Sequence, residues 1–350
     1  MRAYGHLSAL ALLLAAPAAR DPDLPIVTDE AEAALGILEQ RLAGRPVAEE
    51  SWRHLFTTEG YRRLKSREAA MGRPFEDSTF RAFMMSDTLL RRTADLRRTL
   101  AAWRNTDLGS ARRKAFAYLP AGTQIRARVY LLIKPRTNSF VFEPDTDPAI
   151  MLYLDPARTT AQLENTVAHE LHHIGYAAAC RSAPEAKDST VALARRWLGA
   201  FGEGVAMLAA AGSPAVHPHA GSPPEERRRW DREVANAGTD LRLVERFLLD
   251  ILDARISDPD SITRVGMSFF GVQGPWYTVG WSMAVTVERE AGRAALVSAL
   301  CDPARLLAAY NAAARRRGAP PLPLWSDRLI ARISPEARGG RAGAAGGRRR

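Results

Sequence analysis

The densest chemistry in this chain sits in five consecutive residues, His169-Glu170-Leu171-His172-His173, which satisfy the pattern H-E-x-x-H. On a helix, positions four apart share a face. His169 and His173 can then aim two imidazoles at one metal ion, with Glu170 beside them as a base for a water activated by that ion. Imidazole and carboxylate donors suit zinc, which in a catalytic site takes three protein ligands and keeps a fourth position open. Two ligands are in hand, so a third must come from elsewhere in the chain.

The metzincin solution continues the motif with a Gly and then a third His. Those positions here hold Tyr176 and Ala179, which excludes it. The other common solution is a Glu on a following helix, and Glu203, in WLGAFGEGVAMLAA, is the candidate. A carboxylate among Phe201, Val205, Met207 and Leu208 is costly to bury without a cation, and zinc would supply one. The flanking Gly202 and Gly204 would let a backbone come close to the metal helix. The plainer alternative is a Glu that pairs with Arg195 or Arg196, or lies on a solvated edge. His172 points to one side of the motif and either packs or makes a supporting hydrogen bond. His217 and His219, in the Pro-rich run AGSPAVHPHAGSPP, bind metal, line the cleft or are simply solvated; His6 and His54 have no chemical context. An oxyanion formed at a cleaved carbonyl needs a donor besides the metal. Tyr277, in GPWYTVGWSMAV, is the candidate, because Pro275 can begin a helix on which Tyr277, Gly280, Met283 or Ala284, and Glu288 recur on one face. Alternatively Trp276, Tyr277 and Trp281 are core aromatics with polar tips.

These residues need a scaffold. Apolar spacing predicts helices over 29–44, 48–70, a long 76–103 and 108–118. The pattern then changes to alternation in IRARVYLLI (125–133), with Ile125, Ala127, Val129 and Leu131 on one face, followed by short strands at 139–143 and 149–154. Residues 22–27 read as a linker or short strand. After Asp155-Pro156, Thr159 or Thr160 caps a helix that carries the motif to about Cys180. Helical segments near 187–211, 225–254, 276–292 and 303–316 follow. The fold class is α+β, mostly α-helical, with a small mixed sheet directly before the motif helix.

Whole-chain properties narrow the setting. Of 350 residues, 46% are hydrophobic, enough for a sizeable core. Residues 1–19 read as a signal peptide, with a weakly basic start, the apolar run Leu7–Ala16 and small residues for cleavage. That run is too short to span a bilayer, so no stable membrane insertion is expected after its removal, and the protein is expected to be exported, periplasmic or secreted. The division expected is 20–120 as an N-terminal helical region, 121–334 as the catalytic core and 335–350 as a disordered basic tail. The net charge of +10 is carried almost wholly by Arg scattered among acids, with no nucleic-acid motif, so no nucleic-acid partner is expected. Cys180 and Cys301 either pair in an oxidising compartment or remain separate buried thiols.

HELHH followed by GEG resembles the gluzincin pattern of zinc metallopeptidases. The combination of HELHHIGY, GEGVAMLAAAG and GPWYTVGWSMAV more closely resembles exported bacterial zinc-dependent peptidases of unknown function, over roughly residues 125–300. The resemblance implies a zincin-like core, zinc on His169, His173 and Glu203, Glu170 as catalytic base and a peptide or protein substrate. Tyr277 falls in a motif of that family. Thermolysin-like chains place an Asp four residues after the ligand Glu; here that position is Met207, so the thermolysin group is not implied. The expected activity is zinc-dependent peptide-bond hydrolysis. The competing expectation is a catalytically inactive, metal-stabilised binding protein of the cell envelope.

Overall fold

The structure is a computed structural model that describes residues 24–180, 186–318 and 323–334. The expected signal peptide (1–19) and basic tail (335–350) lie outside the described residues. Four short strands, β1 (Ile26–Val27), β2 (Arg128–Leu132), β3 (Phe140–Phe142) and β4 (Ala149–Tyr153), form one sheet in the order β1-β2-β4-β3. β1, β2 and β4 are parallel, and β3 runs antiparallel along β4 with Phe140 opposite Met151. The small mixed sheet expected from the sequence is thus present in a mostly helical chain.

The alternation expected in 125–133 holds only in part. Val129 and Leu131 are buried, but so are Tyr130 and Leu132. A parallel central strand is covered on both faces, which removes the reason for alternation. The helices Asp29–Leu42 and Glu59–Ala70 pack on β2, and the helix Thr160–Cys180 packs on β3 and β4. One apolar core runs from Leu24 to Ile333 through both the N-terminal helices and the motif segment.

Three expected helices are broken. Residues 76–103 form Asp77–Met84, Asp87–Arg91 and Thr93–Trp103, because the Ser86 hydroxyl accepts the Leu89 N–H and starts a new helix. Residues 48–70 divide at Thr58, which caps the second piece through the Tyr61 N–H. Residues 187–211 divide around a 3₁₀ turn at Gly199–Phe201. Helices at Pro259–Ser268, Arg293–Ala299 and Asp327–Ile333 were not foreseen.

Three helices carry the motif residues: the metal helix Thr160–Cys180, the glutamate helix Gly202–Ala211 and the tyrosine helix Pro275–Ala291. The metal helix starts with a capping box, the Thr159 hydroxyl accepting the Gln162 N–H at 3.2 Å and the Gln162 side chain accepting the Thr159 N–H at 2.9 Å. Leu163, Val167, Leu171 and Ile174 anchor it in the core, each contributing roughly 1.5–3 kcal/mol by burial. Its last residue, Cys180, is bridged to Cys301, which resolves the alternatives the sequence left open. The bridge closes a separation of 121 residues, for which chain entropy gives about 4–5 kcal/mol.

Candidate metal centre

The metal and glutamate helices pack together, and three donor atoms meet where they do. His169 Nε2 and His173 Nε2 are 3.0 Å apart, and each lies 3.2 Å from Glu203 Oε2. Among the described residues, these three form the cluster of His, Cys, Asp and Glu side chains able to hold a metal ion. Zinc binds such ligands at about 2.0–2.1 Å, which for a tetrahedral arrangement sets neighbouring donors about 3.3 Å apart. The observed triangle is within a few tenths of an ångström of that spacing. Three electron-pair donors facing one point repel unless a proton or a cation lies between them. The donor set and its spacing therefore fit zinc.

The electrostatics agree with that reading. Burial alone would push the Glu203 carboxyl up, yet the His173 charge and hydrogen bonds from His169 and His173 hold it well below the usual carboxylate range. Burial works against a charge on His173, but Glu203 and then Glu170 overcome it and push His173 up to about 9. Glu170 stands between the two His along the metal helix. Its carboxyl is pushed above the ordinary range by burial, partly offset by the charges of His169 and His173. A raised carboxyl suits a base that must take up and release a proton near neutral pH.

Tyr277 reaches the same place from the tyrosine helix. Its ring stacks on His169 with centroids 6.4 Å apart, and its hydroxyl lies close enough to Glu203 to feel the carboxylate charge. Burial first, then the Glu203 charge, keep the phenol protonated far above its usual range. The position depends on two glycines. A Cβ on Gly204 would collide with the backbone of Trp281 and Gly280, and one on Gly280 would lie 2.7 Å from the Phe201 carbonyl oxygen. The close approach expected of Gly202 and Gly204 therefore belongs to Gly204 alone, and it is to the tyrosine helix. Gly202 has open space where a Cβ would go.

Among the described residues the ion-pair partners of Glu203 are His169 and His173, not Arg195 or Arg196, and Arg195 is taken by the Ile333 carbonyl and Asp302. His172 is fully buried. It donates to the Tyr118 carbonyl at 3.3 Å and is pushed down to about 3 by burial, so it supports the helix as a neutral ring. His54 is exposed, and His6 lies outside the described residues. His217 and His219 are not brought to the triad. His217 Nδ1 accepts the His219 N–H, which leaves Nε2 to donate to Asp231 at 3.0 Å. His219 Nε2 accepts from the Gln273 amide at 2.7 Å, and burial holds this ring neutral. Gln273 was not singled out in the sequence. It adopts φ +72°, rare for a residue other than Gly, in the loop that enters the tyrosine helix. Its neighbours Gly271, Gly274 and Pro275 were the available signal of an unusual turn. The loop carrying His217 and His219 reaches the metal helix one turn before His169, where Asn165 donates to the Pro218 carbonyl.

Residues 52–319 match the family described as "Putative zinc dependent peptidase (DUF5700)". The chain belongs to this family. The matched span includes all three helices of the donor cluster, and the family's zinc dependence accords with the two imidazoles and one carboxylate found there. No curated protein and no solved structure matches the chain.

Proposed function

We propose that this protein is an exported zinc metallopeptidase in which His169, His173 and Glu203 hold the metal, Glu170 is the general base and Tyr277 donates to the oxyanion. The observation that carries the reading is the triangle of donors, 3.0 to 3.2 Å on a side, with Glu170 between its two imidazoles in the chain. When bound, zinc supplies Lewis acidity toward a water molecule and a carbonyl oxygen. Glu170 accepts the proton of the attacking water and returns it to the leaving amine. Tyr277, kept protonated, can turn its hydroxyl from Glu203 to the oxygen on which charge develops. The free edge of β3, packed beside the metal helix, offers backbone groups to an extended peptide. The Cys180–Cys301 bridge supports work in an oxidising compartment. Among the described residues no helix is long and apolar enough to cross a membrane.

The test is Glu170→Gln. The variant should bind about one zinc per chain, as the wild type does, while hydrolysis of a cleaved peptide falls by at least about 10²–10⁴-fold. Full activity of Glu170→Gln would refute the mechanism. Zinc in both proteins with turnover in neither would favour a metal-stabilised binding protein.

A further inference from the structure

A pocket of about 170 Å³ lies between the entry to β3 and the metal helix. Its walls include Thr137–Ser139, which lead into β3, together with Tyr153, Arg158 and Thr166. Thr166 is one helical turn before Glu170, so the pocket opens on the side of the metal helix that carries the proposed base. A peptide laid along β3 would pass its mouth.

The chemistry of the wall is one-sided. Arg158 is the one charged residue lining the pocket, and about half of its side chain is exposed. Its nearest acid, Asp155, is 3.7 Å away and is shared: it lies equally far from Arg92 and accepts the Ala157 N–H at 3.0 Å. One carboxylate against two guanidinium groups leaves a net positive charge. The neutral groups add donors. The Tyr153 hydroxyl accepts from Arg92 at 2.7 Å, so its own proton is free to be donated. The Asn138 carbonyl oxygen is used by Lys134, which leaves that residue's amide N–H groups available. The first turn of the metal helix, with the positive end of its dipole, lies alongside. A pocket of this size has room for a carboxylate on a short methylene stem.

We propose that this pocket receives a carboxylate of the substrate and that Arg158 is the residue that selects it. The inference rests on the peptidase reading and adds the substrate class, peptides with an acidic group beside the cleaved bond. Guanidinium and carboxylate match as a fork, with two parallel N–H···O bonds. The carboxylate can be that of an Asp or Glu side chain, or the C-terminal carboxylate of the peptide.

The experiment uses the zinc-loaded protein and blocked peptides that differ only in Glu, Gln or Lys at one position beside the cleaved bond, plus a pair with free and amidated C-termini. Wild type should prefer Glu over Gln by at least about tenfold in kcat/KM at one such position. If the C-terminal carboxylate is read instead, the free end should be preferred over the amide. Arg158→Ala should collapse that ratio towards one, and Arg158→Glu should turn the preference to Lys. An unchanged ratio in Arg158→Glu, or a wild-type preference for Gln or Lys, would overturn the pocket assignment and leave the peptidase reading intact. Calorimetry of the same peptides with Glu170→Gln protein separates the two ideas. Carboxylate-dependent binding that Arg158→Ala abolishes supports the pocket even if wild type proves not to cleave, and equal binding of Glu and Gln peptides to both proteins counts against it.

Discussion

Two glutamates, Glu30 and Glu203, are buried wholly or in part in this molecule, and they solve the cost of burial in opposite ways. Glu30 is fully buried near the end of β2, where one oxygen accepts the Ile133 N–H at 2.9 Å and the other has no partner. Burial pushes its carboxyl up to about 8, so it keeps a proton at neutral pH. Glu203 is only partly buried, with 18% of its side chain exposed, and two imidazoles hold it ionised. A backbone N–H can satisfy one oxygen of a neutral acid, whereas converging imidazole nitrogens call for a cation. The neighbours, more than the depth of burial, separate a structural carboxyl from a candidate ligand.

Replacing each glutamate by Gln puts that contrast under the greatest strain. Glu203→Gln should lower zinc affinity by at least about 100-fold in a chelator competition and abolish hydrolysis, while Glu30→Gln keeps zinc at the wild-type stoichiometry. Equal zinc affinity in Glu203→Gln and wild type would erase the distinction. The next effect is on stability against pH. The carboxyl of Glu30 titrates near 4.5 when unfolded and near 8 when folded. The unfolded chain loses this proton first, so the contribution is whole below pH 4.5 and is lost as pH rises towards 8. Urea unfolding across that window should show a wild-type loss of up to about 5 kcal/mol that Glu30→Gln lacks. Parallel pH profiles for the two proteins would show that Glu30 is not held neutral.

Smaller effects sharpen the geometry around Glu203. Gly204→Ala should cost about 3 kcal/mol in urea unfolding and loosen zinc binding, because the new methyl meets backbone. Gly202→Ala, with open space, should change stability by less than about 1 kcal/mol. Equal effects would mean that the crossing of the two helices is not as tight as described. Tyr277→Phe should lower kcat about 10- to 100-fold with zinc content unchanged; a full kcat would remove it from the chemistry.

The sequence made the candidate site legible because metal chemistry restricts residue types: two His at helical spacing and a Glu in an apolar run have few other uses together. The strands were legible from their position between helical periodicities. Helix breaks at Thr58 and Ser86 were not, since apolar spacing continues across them and a single hydroxyl decides where the backbone restarts. Gly202 and Gly204 look alike in sequence, and only the crossing with the tyrosine helix tells them apart. Glu30 carried no mark, because an acid in the first turn of a helix is ordinary. Its character comes from a strand end 103 residues away.

The Gly204–Gly280 contact has a consequence for descent as well as for geometry. Two motifs distant in the chain share one surface with room for no side chain on either partner. A lineage that changed one glycine would have to move a whole helix, and with it Glu203 or Tyr277. GEG and the Tyr277–Gly280 segment therefore move as a single mechanical unit, and a relative that keeps HELHH but carries a larger residue at one of these glycines is expected to hold the two helices further apart.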